Sequence, residues 1–446
     1  MTTTEQPVPP VAPPPVRGGL TLLQGSALTT GAVLGTGVLS LPAIAADLAG
    51  PASLLAWLAL VLLSVPLATT FAALGSRYPD TGGVSTYARL AFGRRAAAVV
   101  GWCFYLAVPM GAAPAASFAG GYLADLTDGG RVTEVLTIVA LTVLVGGMNA
   151  FGIRLSGRVQ LALAAVLVLL LAGALVVALP HADTTHLTPF APHGWAAVGS
   201  AAAVLVWAFA GWEATSSLSC DFREPRRDIP RATGIAIAVV GVLYVGVAGV
   251  SVLVLGPAAA TSDAPLSDLL ATGLGEPARV VTTVTALLLT AGAMNAYFAG
   301  GSRLGAALGR DGAMPAWLAR GSQAGEIPLR SLGLLVTLCL LSTAVTVVAG
   351  LELTASLLLV TGSFTLVYLI GSAAAIRLLP RGTWGHRAAV VSFVSALALL
   401  WMTGRHVLWT AGIAVAALVY DAVTHRRTTR RAAGSPSAMA RSEARP

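Results

Sequence analysis

The sequence predicts an all-α membrane protein of about twelve transmembrane helices, in which helices one and six are broken and the ten leading helices form a five-plus-five inverted repeat followed by two more. Three observations predict it. Of the 446 residues 56% are hydrophobic and only 10% charged, with a mean hydropathy of +0.80, outside the range of soluble globular domains. Apolar runs long enough to span a bilayer recur along the whole chain. Two of those runs, five spans apart, carry glycines where an unbroken helix would be expected, which is the pattern an inverted repeat produces at its ligand site.

The runs cover 20 to 48, 52 to 74, 96 to 123, 132 to 150, 156 to 179, 195 to 219, 232 to 255, 277 to 299, 331 to 350, 353 to 376, 386 to 403 and 406 to 424. Run one is too long to be straight: about 29 residues rising 1.5 Å each would reach roughly 43 Å, against a hydrocarbon core of ~30 Å. Its segment GAVLGTGVLSLP supplies the interruption through Gly31, Gly35, Gly37 and Pro42, since glycine costs about 1 kcal/mol inside a helix and proline removes a backbone donor. Freed N–H and C=O groups are tolerated at membrane depth only against protein or a watery cavity, so the break points to a ligand pocket. The N–H groups of the second half-helix suit a carboxylate, and Thr36 adds a hydroxyl. A merely close-packing glycine face is the competing reading; Pro42 and the acid in run six weigh against it.

Run six reads AAVGSAAAVLVWAFAGWEATSSLSC, and Glu213 is the acid that falls squarely inside an apolar run. An ionisable group there costs several kcal/mol, so it is read as the partner of an ion, a proton or a substrate amine. The alternative is a protonated carboxyl bonded to a neighbouring helix. Trp207, Phe209 and Trp212 flank it, and Trp207 is a candidate wall or gate. Asn149 and Asn295, near span ends, are read as helix-to-helix hydrogen bonds.

All 27 basic residues are arginine, and 24 of them fall on one face of the twelve-span arrangement, with Arg131, Arg279 and Arg405 on the other. By the positive-inside rule both termini are cytoplasmic. The net charge of +8 therefore flanks a membrane and is no nucleic-acid footprint. The first 19 residues, rich in proline, carry no signal-peptide pattern and read as a disordered cytoplasmic tail; 20–424 form the membrane domain and 425–446 a basic disordered cytoplasmic tail. Cys103, Cys220 and Cys339 sit in separate apolar runs, and His181, His186 and His193 share a loop without metal spacing. No nucleophile elbow, phosphate loop or carboxylate pair is present, so no enzyme, metal or cofactor is expected.

LGTGVLSLP in run one, LGSRYPDTGGVSTYARLAFG after run two, NAFGIRLSGRVQ after run four and FAGWEATSSLSCDFREPRRDIPRA through run six resemble, in order and spacing, the signature segments of the amino acid, polyamine and organocation (APC) superfamily. The match covers about residues 20 to 320, and the chain looks most like the bacterial L-methionine and branched-chain amino-acid exporters. The resemblance implies a LeuT-type fold working by alternating access. It places Val33, Gly35, Thr36 and Gly37 near the substrate carboxylate and amino group, Trp207, Ala210 and Gly211 in the unwound part of helix six, and Glu213 in proton coupling or gating. It makes Asp221, Glu224, Asp228 and the loop arginines elements of a cytoplasmic gate.

The function expected is secondary transport of neutral apolar amino acids (methionine, leucine, isoleucine, valine) across the bacterial plasma membrane, outward and against a proton, by a monomer or homodimer. Neutral cargo follows from charge: beyond Glu213 there is no second mid-membrane acid for a cationic side chain. An uptake permease or exchanger of the same fold is one alternative, and a non-transporting membrane sensor of amino acids is another.

Overall fold

The computed structural model describes residues 20–433 apart from 81, 153–156, 218, 220–221, 263, 276, 324–325 and 351–352. The Pro-rich start, Cys220, Asp221 and the end of the C-terminal tail, all singled out by sequence, lie outside the described residues. The chain is helical throughout: α1 (Leu22–Leu34), α2 (Gly37–Ala49), α3 (Ser53–Arg77), α4 (Val84–Phe92), α5 (Arg94–Thr127), α6 (Gly130–Ala150), α7 (Gly157–Ala178) and α8 (Ala196–Leu205) are followed by α9 (Trp212–Ser217), α10 (Pro225–Val250), α11 (Pro265–Leu274), α12 (Pro277–Arg310), α13 (Leu329–Ala349), α14 (Leu353–Leu378), α15 (Trp384–Met402) and α16 (Val407–Ala433). No β-strand occurs among the described residues; a parallel bridge between Leu20 and Phe222 stands alone.

Ten described segments are long and apolar enough to cross a membrane, against the twelve runs of the sequence. The difference lies at the joint between the first two runs, where only the turn Gly50–Ala52 parts α2 from α3, and at the second break. The first segment, Leu22–Arg77, carries α1, α2 and α3 in succession, and run six is cut to the short apolar helix Ala196–Ala208. Helix α16 runs nine residues past the apolar boundary at 424, to Ala433; arginine and alanine keep good helix propensity after the chain leaves its apolar stretch.

Start signals are local. Thr21 accepts from the Gln24 N–H at 3.4 Å while Gln24 Oε1 accepts from the Thr21 N–H at 3.1 Å, a reciprocal capping box that opens α1. The neighbouring Leu20 carbonyl accepts from the Arg223 N–H at 3.2 Å, tying the entrance of α1 to the segment after α9.

Helix α5, 34 residues long, is the post around which the bundle is assembled: α4, α6, α12, α13, α14 and α16 all pack on it. Small residues make this approachable from every side, because Ala97, Ala107, Gly111, Ala112, Ala116 and Gly120 are buried along its length. Helix α10 packs on α1 and α3, and α14 on α15 and α5. Asn149 donates to Asn295 Oδ1 at 2.8 Å, so these two form the helix-to-helix bond their position suggested. His186 Nδ1 lies 2.9 Å from the Leu253 carbonyl and His193 Nδ1 3.1 Å from that of Leu48, which makes both loop ties. Cys103 and Cys339 are buried and free.

Candidate functional site

At the first break a two-residue turn, Gly35-Thr36, separates α1 from α2, and only Gly35 leaves helical dihedrals. Gly35 has φ +34° and still donates to the Gly31 carbonyl at 3.0 Å, closing α1; only glycine adopts such a conformation cheaply. Helix α2 restarts at Gly37, and its N-cap Thr36 makes no side-chain capping bond, so the first N–H groups of α2 are left for another acceptor. Pro42, expected to help end the helix, instead lies inside α2. The interruption belongs to Gly35 and Thr36; α2 continues through Pro42, its sixth residue, with the loss of one backbone N–H donor.

The second break is longer. Helix α8 gives way to a 3-10 turn at Val206–Phe209 and to extended backbone at Ala210, before α9 begins at Trp212. Gly211 between them has φ +129°, and a Cβ there would stand 2.7 Å from the Ala32 carbonyl oxygen and 3.0 Å from the Val33 nitrogen. The two broken segments thus touch backbone to backbone, which no larger residue at 211 would permit.

The carbonyl groups released by the breaks converge on one side chain. The Tyr244 hydroxyl, carried by α10, lies 2.7 Å from the Val33 carbonyl, 2.8 Å from that of Ala208 and 3.3 Å from that of Leu34, which share its one proton. The Trp57 ring packs on its face with centroids 5.0 Å apart. This accounts for groups that lipid could not satisfy.

Glu213 sits in the first turn of α9, 1% exposed. Its Oε2 accepts from the Gly211 N–H at 2.9 Å and from the Tyr368 hydroxyl of α14 at 2.7 Å. Oε1 is buried with no hydrogen-bond partner among the described residues. The bond to a neighbouring helix, one of the two readings of this acid, is therefore present.

Between the breaks and α5, α12 and α14 lies a small, mostly apolar cavity. Val33, Gly35, Thr36, Gly37, Trp207 and Ala210 line it, so six of the eight residues singled out by sequence are brought together. Gly211 and Glu213 are not in its wall: the first is pressed on Ala32 and Val33, and the second faces Tyr368. Sequence reasoning missed the other side of the wall, among it Gly111, Ala112 and Ala115 of α5, Met294, Tyr297 and Phe298 of α12 and Phe364 of α14. A usable signal existed for part of this set. Tyr244, Tyr297 and Tyr368 each place a hydroxyl inside an apolar span, and such a group needs a partner. Among the described residues no charged side chain lines the cavity, and the polar side-chain groups that do are those of Thr36, Trp207 and Tyr297.

The family model described as amino acid permease matches residues 20–429. The chain is 33% identical over 410 residues to the uncharacterized amino acid permease YecA of Bacillus subtilis, covering 91% of this chain and 96% of that protein. It is 32% identical over 395 residues to the L-methionine/branched-chain amino acid exporter YjeH of Escherichia coli, covering 86% and 91%. The branched-chain amino acid permease BcaP of Bacillus subtilis is 26% identical over 312 residues, 66% of this chain and 67% of its own. A chain with ten apolar spanning segments among its described residues, two helix breaks facing one cavity and these relatives across nearly its whole length is a membrane transporter, not an enzyme, and belongs to the amino acid permease (APC) family.

Proposed function

We propose that the chain is a secondary active transporter that exports neutral, apolar amino acids such as methionine, leucine, isoleucine and valine across the bacterial plasma membrane by proton antiport. The observation that carries this reading is the uncharged cavity held between two broken helices. A zwitterion with an apolar side chain is what such a wall accommodates. Its carboxylate meets the uncapped N–H groups of α2 at Gly37, where the helix dipole favours negative charge. The hydroxyls of Thr36 and Tyr297 serve the ammonium, and the small and apolar side chains Val33, Ala112, Ala115 and Met294 receive the rest. A cationic side chain would find no carboxylate in the wall. The exporter name of YjeH supports outward transport of the same cargo.

The architecture in this reading is LeuT-type, with ten helices in two inverted halves plus two, both termini cytoplasmic, as a monomer or homodimer. Alternating access rocks the halves about the site. Gly211 lets the second break press on the first, and Glu213 carries the coupled proton behind the cavity, bridging Gly211 and Tyr368.

Proteoliposomes loaded with radiolabelled L-methionine, under an imposed pH gradient of either sign, test this. Flux that follows the gradient and is competed by leucine but not by arginine is the expected result. Flux that ignores the gradient and requires amino acid on the opposite side would refute the antiport reading. Competition by arginine would refute the neutral-cargo reading.

A further inference from the structure

We propose that Gly111 of α5 determines which side chains the cavity accepts, by fixing where the indole of Trp207 rests. The inference rests on the transport reading above and assigns a specificity role to a residue that carries no functional group. Gly111 and Trp207 both line the cavity. A Cβ at position 111 would stand 2.8 Å from Trp207 Cη2, 3.2 Å from Cζ3 and 3.5 Å from Val360 Cγ1. Carbon atoms rest at about 3.5–4.0 Å, so an added methyl forces the ring back by roughly 0.7 to 1.2 Å.

The backbone under the indole does not follow readily. The Trp207 carbonyl accepts from the Ala210 N–H at 3.2 Å, and the carbonyl of the next residue, Ala208, is held by Tyr244 at 2.8 Å. The movement therefore falls on the side-chain torsions. In a close-packed interior a displaced ring goes where there is space, and the space adjoining Trp207 is the cavity it lines. One methyl at 111 thus removes its own volume and that swept by the indole. Glycine at this position opens the site to long and branched side chains; alanine would confine it to short ones.

The size of the effect follows from pocket selectivity, where one methylene in a hydrophobic site changes preference by about 10- to 200-fold. For Gly111→Ala we expect the preference for methionine and leucine over alanine, measured as a ratio of kcat/KM in proteoliposomes, to fall by about tenfold or more. Trp207→Phe removes the ring edge that the methyl would strike, so Gly111→Ala/Trp207→Phe should recover most of the lost preference. A general packing defect would lower all substrates together and gain nothing from a second substitution. Trp207→Phe alone should admit phenylalanine better than the parent protein does. An unchanged methionine-to-alanine ratio in Gly111→Ala, or no recovery in the double variant, would overturn the proposal. Should Gly111→Ala fail to fold, as judged by size-exclusion in detergent, unchanged selectivity in Trp207→Phe would overturn it equally. A parent protein that carries none of these amino acids would sink the transport reading instead, so the two failures are distinguishable.

Discussion

Removing the hydroxyl of Tyr244 isolates the chemistry that makes both helix breaks sustainable. Tyr244→Phe keeps the ring, its contact with Trp57 and almost all of its volume, and deletes the donor that serves the Val33 and Ala208 carbonyls at 2.7 and 2.8 Å. A buried polar group left without a partner costs about 1–3 kcal/mol, whereas hydrogen bonds between helices in membranes average nearer 0.6 kcal/mol, because the unfolded state in lipid also finds partners. Two carbonyls share this donor, from the two segments that must stay in contact, so we expect about 1–3 kcal/mol rather than the average. At the roughly 2–4 °C per kcal/mol of a 150–250-residue domain, an upper bound for a longer chain, the thermal midpoint of the detergent-purified protein should drop by a few degrees and by no more than about 12 °C. The residues whose carbonyls are released, Val33 and Ala208, border or line the site, so methionine KM should rise as well. Tyr244→Leu, which also loses the ring, should be worse than Tyr244→Phe. A midpoint shift under 1 °C with unchanged KM would refute the reasoning, since the carbonyls would then be satisfied without this hydroxyl.

Three further outcomes follow from the same geometry. Glu213→Gln preserves an acceptor for the Gly211 N–H and the Tyr368 hydroxyl but carries no exchangeable charge, so methionine flux should lose its dependence on the pH gradient while the protein remains in the membrane; a parental pH profile would remove Glu213 from coupling. Gly37→Val puts a branched side chain where a Cβ already stands 3.0 Å from Leu41 Cδ1 and 3.2 Å from Ala208 Cα, an overpacking of about 1–3 kcal/mol at the proposed carboxylate site; methionine affinity should weaken roughly tenfold or more, at 1.4 kcal/mol per decade, and unaltered affinity by equilibrium binding would defeat that site. Arg94→Ala strips the partner, 3.0 Å away, from an Asp421 side chain that is only 4% exposed. Full burial of both charges would make this cost 3–5 kcal/mol, but the arginine is 43% exposed, so about 1–3 kcal/mol is expected, with partial rescue by Arg94→Lys; a thermal midpoint equal to that of the parent would contradict it.

What could be read in the sequence was whatever broke a rule of the bilayer. Gly35 and Gly37 stood out because glycine interrupts a helix that was too long, and Glu213 because a carboxyl is costly where it lies; both mark the breaks that the structure contains. The wall opposite was hidden for a complementary reason. Gly111, Met294 and Phe364 belong to helices α5, α12 and α14, which are apolar nearly all round, so composition carries no information on which residues face lipid, a neighbour or a cavity. Pro42 misled in the other direction. Proline does break helices in general, yet membrane helices tolerate it where neighbouring groups satisfy the freed carbonyl, and α2 continues through Pro42. The tyrosines were legible in kind but not in partner: Tyr244 and Tyr368 announce buried hydroxyls, whereas their acceptors on α1, α9 and the second break depend on contacts 36 to 211 residues away in sequence.

These contacts make one short segment answer to two surroundings. Between Trp207 and Glu213 the chain turns from a 3-10 helix through extended backbone into α9. Its first part, Trp207 and Ala210, is wall of the cavity; its last part, Gly211 and Glu213, is bonded to itself and to α14 through Tyr368. Helix α14 closes the circuit, because Phe364, one turn before Tyr368 and stacked with it at a centroid distance of 6.4 Å, lines the same cavity. In the proton-antiport reading proposed above, a ligand that moves Trp207 or Phe364 would strain Glu213 through this circuit, and a proton placed on Glu213 would alter the tie between the second break and α14. Coupling in this reading needs no path across the molecule, only a segment too short to relax at one end without shifting at the other. A continuous helix six would lack that property, and on this argument the break matters for the coupling of proton to cargo as much as for the binding of cargo.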